Sequence, residues 1–146
     1  MEKIYQYIKD HATAQSEALS WVEKQTHIRT NHARMLSGAV QGQIMRMLVH
    51  ISRASRILEL GTFTGYSAIC LASAMSEGGH LDTLELNDEL EDLILEGFER
   101  AGLSEVISLH IGDCKESVKK LAAEGRMYDI VYMDANKREY CEYYDL

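Results

Sequence analysis

The hydrophobic positions in the first third of the chain recur at helical spacing. They form three stripes: Ile4 and Ile8; Ala14, Ala18, Trp21 and Val22; and Ile44, Met47, Leu48 and Ile51. Residues three and four apart lie on the same side of a helix, so the stripes predict amphipathic helices, the last following Gly42. The polar stretch 26–37 has no clear period and predicts a loop or a short helix. We therefore expect residues 1–52 to form an N-terminal helical segment.

From Arg56 onward, short apolar runs alternate with amphipathic stretches. Four runs have strand character: 57–60, 81–86, 106–111 and 128–133. The stretches between them predict helices, two of which begin with an Asp-x-x-Glu capping box at 88–91 and 113–116 and end at Gly102 and Gly125. This alternation predicts a parallel α/β sheet with right-handed crossovers over residues 53–146.

Composition and charge narrow the class of protein. The 146 residues suit one globular domain, and a net charge of −8 disfavours a nucleic-acid partner, because phosphate binding depends on Lys and Arg. The three cysteines form no Cys-x-x-Cys pair and predict reduced thiols in a cytoplasmic protein. Apolar runs of membrane-spanning length and a signal-peptide pattern are both missing from the sequence, so we expect no membrane partner.

A glycine-bracketed turn follows the first predicted strand, at the edge where parallel sheets bind ligands. Gly61 and Gly65 enclose it, and Phe63 stands where a dinucleotide-binding turn has its middle glycine. That difference disfavours a nucleotide-binding oxidoreductase. The turn and the following helix direct N–H groups at a ligand, although a plain strand-to-helix turn would need the same glycines.

Carboxylates follow the other three strands. Glu85 lies about 20 residues beyond the glycines, where an acid that binds a ribose diol is expected, although it also fits an exposed strand end. Asp113 is expected first of all to cap a helix. Asp134 could bind a hard cation such as Mg²⁺, and Lys137 nearby could act as a general base. The alternative for these last two residues is a solvated loop pair.

Two of these segments together resemble the cation-dependent O-methyltransferases, the family of catechol and caffeoyl-CoA O-methyltransferases. They are Ile57–Ala68, which contains Gly-Thr-x-x-Gly-Tyr-Ser, and Met133–Lys137, which contains Asp-x-x-Lys. The stretch Gly42–Met45 is also similar to the helix before the first strand of that family. The resemblance spans about residues 35–140 and implies a Rossmann-like S-adenosylmethionine-dependent methyltransferase fold, with N-terminal helices and about four strands present.

The resemblance also implies ligands and residue roles. The cofactor would be S-adenosylmethionine, assisted by a divalent cation, and the substrate a catechol-like hydroxylated aromatic molecule. Asp134 would be the metal ligand, and Asp134 and Lys137 the catalytic residues. The implied cofactor-binding residues are Ser37, Glu59, Gly61, Phe63, Gly65, Tyr66, Ser67, Glu85, Leu86, Gly112, Asp113, Cys114 and Asp134.

The sequence departs from the family pattern in its metal site. The family continues with further strands and an Asp-Asn pair that completes this site, whereas this sequence contains only the reversed pair Asn87-Asp88. Asn136 also stands where many bacterial relatives have Asp. We therefore expect weak metal binding and an exposed fourth strand that favours a homodimer. The alternative function is a truncated, non-catalytic module that binds an S-adenosyl ligand or self-associates.

Overall fold

The computed structural model describes residues 2–146, so Met1 of the predicted segment 1–52 lies outside it. Its helices are α1 (Glu2–His11), α2 (Glu17–Arg29), α3 (Gly38–Ser52), α4 (Tyr66–Ala72), α5 (Glu91–Arg100), α6 (Cys114–Ala123) and α7 (Tyr140–Asp145). Its strands are β1 (Arg56–Leu60), β2 (His80–Glu85), β3 (Ile107–Ile111) and β4 (Ile130–Met133). In these residues no helix has both the length and the apolar character that a membrane span requires.

The four strands form one parallel sheet in the order β3-β2-β1-β4. Leu60 is paired with Leu84 on one side and with Met133 on the other, so β1, β2 and β4 end at nearly the same level. The chain winds outward from β1 to β3 and then returns to the other side of β1. Such a reversal of strand order opens a crevice beyond the carboxyl ends of the strands. The predicted parallel α/β sheet is confirmed.

A hydrophobic core covers each face of the sheet. Helices α2 to α5 bury one face, and α6 and α7 cover part of the other. On the first face Val22 and Val49 of the N-terminal helices share a core with Ile57, Ile94 and Phe98. The N-terminal helices are therefore packed into the same core as the sheet.

The apolar stripe that predicted α3 is not the buried face of that helix. Its four members are between 50% and 71% exposed, and Ile4 and Ile8 of α1 are exposed as well. The helix begins at Gly38 and buries Gly42, Met45 and Val49 instead. A Cβ added at Gly42 would lie 2.8 Å from Cys70 Sγ, so this glycine allows α3 to lie close against α4.

The ends of two other elements also differ from the sequence pattern. The stretch 26–37 divides into the last turn of α2, which reaches Arg29, and a single 3₁₀ turn at Ala33–Met35. The capping box predicted at 88–91 is wrong, because Asn87 is the cap and accepts from the Glu89 N–H at 3.1 Å. At the second box Asp113 does cap α6, accepting from the N–H groups of Lys115 and Glu116.

Candidate functional site

A cleft of about 790 Å³ lies beyond the carboxyl ends of β1, β2 and β4. That volume is within the range of pockets that hold small-molecule ligands. Most of the residues singled out from the sequence line it: Ser37, Gly61, Phe63, Tyr66, Ser67, Glu85, Leu86, Asp113, Cys114, Asp134 and Lys137. Glu59, Gly65 and Gly112 are not among the lining residues.

The turn after β1 passes unusually close to the loop after β4. Gly61 has a φ of +98°, and a Cβ added there would lie 2.8 Å from the carbonyl oxygen of Asp134. Only glycine accommodates both the backbone angle and the contact. Gly65 is required for packing in the core, because a Cβ added there would lie 3.0 Å from Phe98 Cε1. The first glycine shapes the cleft, and the second allows helix α4 to pack on the core.

Glu85 ties the glycine turn to the end of β2. Its Oε2 accepts from the Phe63 N–H at 2.7 Å, and its Oε1 accepts from the Asn87 N–H at 2.9 Å. Phe63 itself has a φ of +52°, a left-handed conformation that costs energy for a residue with a side chain. The carboxylate thus stabilises a strained turn, and its partly exposed oxygens retain lone pairs for a ligand in the cleft.

Glu59 lies behind the wall of the cleft and is fully buried. The pKa of Glu59 is raised to about 7, chiefly by burial and to a smaller extent by Asp134 and Glu85, against the lowering effect of the neighbouring hydroxyls of Ser67 and Thr83. Oε2 accepts from Thr83 Oγ1 at 2.6 Å, whereas Oε1 has no hydrogen-bond partner. Among the described side chains, those of residues 3, 4, 6–8 and 10–146, it is the one buried side-chain oxygen or nitrogen without a hydrogen-bond partner. An unsatisfied buried carboxylate oxygen indicates a missing donor.

Asp134 and Lys137 occupy the opposite side of the cleft, on the loop that follows β4. Both residues are exposed. Within the described part of the chain, no group of three or more His, Cys, Asp or Glu side chains is arranged to hold a metal ion. The geometry brings the two residues to the cleft without placing Asp134 in a cluster of metal-binding side chains.

The sequence interpretation missed the residues that hold this loop in place. Glu139 accepts from Lys115 Nζ at 2.7 Å, from the Tyr143 hydroxyl at 2.7 Å and from Asn136 Nδ2 at 3.2 Å. Across the cleft Gln41 donates to the Tyr132 hydroxyl at 2.8 Å and connects α3 to β4. The tyrosines at 140, 143 and 144 are the sequence feature that could have indicated this hydrogen-bond network, but their pattern fits simple packing equally well.

Comparison with known proteins identifies relatives over nearly the whole chain. The family described as O-methyltransferase matches residues 9–146. A catechol O-methyltransferase of Niastella koreensis is 34% identical over 105 residues, which are 71% of this chain and 48% of that protein. Caffeoyl-CoA O-methyltransferase 1 of Zea mays is 30% identical over an alignment of 149 positions, which covers 99% of this chain and 57% of that one. This chain thus spans about half the length of these relatives.

Solved structures show the same fold. TomG, an O-methyltransferase of Streptomyces achromogenes in complex with SAM, superposes with a TM-score of 0.92 at 29% identity, over 98% of this chain and 64% of that one. An O-methyltransferase of Bacillus cereus in complex with SAH gives a TM-score of 0.86 at 28% identity, over 98% and 65%. The fold is therefore the Rossmann-like fold of S-adenosylmethionine-dependent methyltransferases, and the chain belongs to the O-methyltransferase family.

Proposed function

We propose that this chain binds S-adenosylmethionine in the cleft and serves the transfer of its methyl group to a hydroxyl of a catechol-like small molecule. The observation that carries the proposal is the unpartnered, fully buried Oε1 of Glu59, close to the glycine turn of the cleft. The α-amino group of the cofactor is a cationic donor of the kind this oxygen lacks. The relatives named for catechol and caffeoyl-CoA support the class of acceptor.

The residues present fit the cofactor. The close approach at Gly61 gives a cradle that a larger residue would fill, and Glu85 presents acceptors for a ribose diol. When bound, the cofactor supplies an electrophilic methyl group on a sulfonium. We propose that Glu59, Ser37, Tyr66 and Ser67 hold its methionine part. The remaining proposed cofactor-binding residues are Gly61, Phe63, Gly65, Glu85, Leu86, Gly112, Asp113, Cys114 and Asp134.

In the proposed reaction the unprotonated amine of Lys137 takes the proton of the acceptor hydroxyl at Nζ and becomes an ammonium group. Deprotonation turns the hydroxyl oxygen into a better nucleophile. The walls of the cleft include the buried Tyr66 and Ser67, which exclude water from one side of the site. The protein would contribute mainly by positioning the reactants, since the methyl donor is itself reactive.

The divalent cation is the part of the proposal that the described residues do not fit. Asp134 is one hard oxygen donor, and a metal site needs several that converge. No such cluster occurs among the side chains that the structure describes, so no step above passes through a metal. This observation also favours the second candidate function, a non-catalytic module that binds an S-adenosyl ligand.

The assay of this function combines binding with turnover. We expect S-adenosylhomocysteine to bind in calorimetric titration and NAD not to bind. Glu85→Ala should weaken S-adenosylhomocysteine binding by about 1–3 kcal/mol, the range for a lost hydrogen bond to a charged group, whereas the exposed control Glu77→Ala should not. Failure of S-adenosylhomocysteine to bind would contradict the proposal.

A methylation assay with catechol then separates the two candidate functions. Methyl transfer in the presence of Mg²⁺ supports the transferase, and loss of turnover with a chelator would show that a cation takes part. Turnover that is indifferent to the chelator would exclude the metal-assisted mechanism. Binding of S-adenosylhomocysteine without any turnover would favour the non-catalytic module.

We propose further that the protein is a cytoplasmic homodimer, with residues 1–52 as a helical segment and 53–146 as the cofactor-binding part. Helices α1 and α3 are packed together and expose apolar side chains, and β4 forms an edge of the described sheet. Removing such surface from water favours association. Ile51→Glu, at a side chain that is 71% exposed, should yield monomers in sedimentation velocity. A wild-type monomer would contradict the dimer.

A further inference from the structure

We infer that Thr83 is a positioning residue, whose hydroxyl holds one oxygen of Glu59 and thereby reserves the other for a cationic ligand group. The inference rests on the proposed function, because the cation is taken to be the α-amino group of an S-adenosyl ligand. Thr83 lies in β2, one strand away from Glu59 in β1, and the two residues are paired in the sheet register. Thr83 follows neither the glycine turn nor any strand end, so the sequence pattern does not single it out.

The hydrogen bonds of three buried side chains have one consistent direction. Thr83 Oγ1 lies 2.6 Å from Glu59 Oε2 and 2.6 Å from Thr62 Oγ1. A hydroxyl carries one hydrogen, and the Glu59 carboxylate only accepts in its ionised form, which is the form that would pair with a cationic ligand group. Thr83 therefore donates to Glu59, and Thr62 donates to Thr83. This chain occupies Oε2 and leaves Oε1 as the free acceptor.

The chain of hydroxyls also connects Glu59 with the surface of the cleft. Thr62 and Ser67 both line the cleft. The Ser67 hydroxyl neighbours the Glu59 carboxylate, and the Thr62 hydroxyl is connected to that carboxylate through Thr83. The carboxylate is thus close to ligand-accessible groups although it is not itself part of the lining. A cationic group that enters beside Ser67 would meet Oε1 of Glu59, a buried acceptor without a hydrogen-bond partner.

The local charge explains why this acceptor needs a cation. Asp134 and Glu85 are the charged groups with the largest effect on Glu59, and both are acidic. Tyr132 of β4 and Cys70 of α4 also interact electrostatically with Glu59, whose negative charge raises the pKa of both. In these surroundings a neutral donor such as Thr83 orients the carboxylate without neutralising it.

The choice of threonine at position 83 also supports a role in holding Glu59. Thr83 and Thr62 are almost completely buried, with 0% and 2% exposure. Valine has nearly the same shape and an equal preference for strands, and it avoids the cost of burying a hydroxyl. The hydroxyl at position 83 is therefore explained by its bond to Glu59 rather than by packing.

The experiment compares two ligands that differ in the amino-acid part. S-adenosylhomocysteine carries the α-amino group, and 5′-methylthioadenosine lacks the whole amino-acid portion. We expect Thr83→Val to weaken S-adenosylhomocysteine binding roughly tenfold or more, as for a lost hydrogen bond to a charged group, and to leave 5′-methylthioadenosine binding unchanged. Thr83→Ser retains the hydroxyl and should restore the affinity. Calorimetry measures both ligands, and circular dichroism checks that each variant is folded.

The outcomes separate this inference from the proposed function. Equal loss for both ligands, no loss for either, or failure of Thr83→Ser to restore binding would overturn the positioning role while S-adenosylhomocysteine binding by the wild type still supports the function. A wild-type protein that binds neither ligand would overturn both. If Thr83→Val does not fold, Thr62→Val replaces it, with a smaller loss of about twofold to threefold expected for S-adenosylhomocysteine alone.

Discussion

Replacing Glu59 with glutamine tests the electrostatics of the cleft in the unliganded protein. The native structure raises the pKa of this carboxyl from 4.5 to about 7, chiefly because burial disfavours its charged form. A group that binds its proton more tightly when folded stabilises the protein fully below the unfolded-state pKa, and this contribution is lost as the pH rises through the folded-state pKa. Glutamine does not titrate, so Glu59→Gln should remove this contribution to the pH dependence.

The size of the effect follows from the two pKa values. Each tenfold difference in proton affinity corresponds to about 1.4 kcal/mol, so the change from 4.5 to about 7 amounts to roughly 3 kcal/mol in total. Integrated between pH 5 and pH 8, the wild type should lose about 2.5 kcal/mol of stability through this group. The free energy of unfolding of Glu59→Gln relative to the wild type should therefore rise by that amount over the same interval.

Urea unfolding at pH 5, 6, 7 and 8, followed by the fluorescence of the single tryptophan, Trp21, measures this difference. The exposed Glu77→Gln is the matched control and should follow the wild type at every pH. At pH 8 Glu59→Gln should also bind S-adenosylhomocysteine more weakly, because glutamine lacks the negative charge that would pair with the cationic amino group. A stability difference that stays constant from pH 5 to pH 8 would show that Glu59 ionises normally and would refute the reasoning.

Three further substitutions test other parts of the structure, each by chemical denaturation. Gly61→Ala should destabilise by roughly 1–3 kcal/mol and abolish S-adenosylhomocysteine binding, whereas Gly78→Ala, which also has a positive φ but open space, should cost only about 1 kcal/mol and bind normally. Asp82→Asn should cost about 1.5–3 kcal/mol, because this buried carboxylate accepts from His, Arg and Tyr side chains. Burial would raise the pKa of Asp82, but these hydrogen-bond partners lower it below 3.8. The contribution of Asp82 to the stability of the fold is therefore complete above pH 3.8 and is lost as the pH falls through the pKa of the folded state. Thr26→Val should cost about 1–3 kcal/mol, because it leaves the buried Thr64 hydroxyl without its 2.8 Å partner, and an unchanged midpoint would contradict this.

Local chemistry explains the parts of the fold that could be read from the sequence. Alternating strand and helix periods were sufficient to predict the parallel sheet, and the rule that ligands bind at carboxyl ends of strands brought Gly61, Glu85 and Asp134 to one edge. Glycine and aspartate at element ends act through neighbouring backbone, so the Asp113 cap was predictable as well. These inferences need only residues that are close together along the chain.

Other features depend on which elements become neighbours, and only the tertiary structure decided them. The exposed stripe of α3 is as apolar as its buried side, and the contact of Gly42 with α4 selects between them. The bond from Thr83 to Glu59 joins strands that are separated by a helix in the sequence but paired in the sheet. Periodicity records the geometry within one element, whereas partners across the sheet follow from strand order and register. The sequence therefore determined the elements and the binding edge, and the packing between elements determined which carboxylate is buried and which of its oxygens remains free.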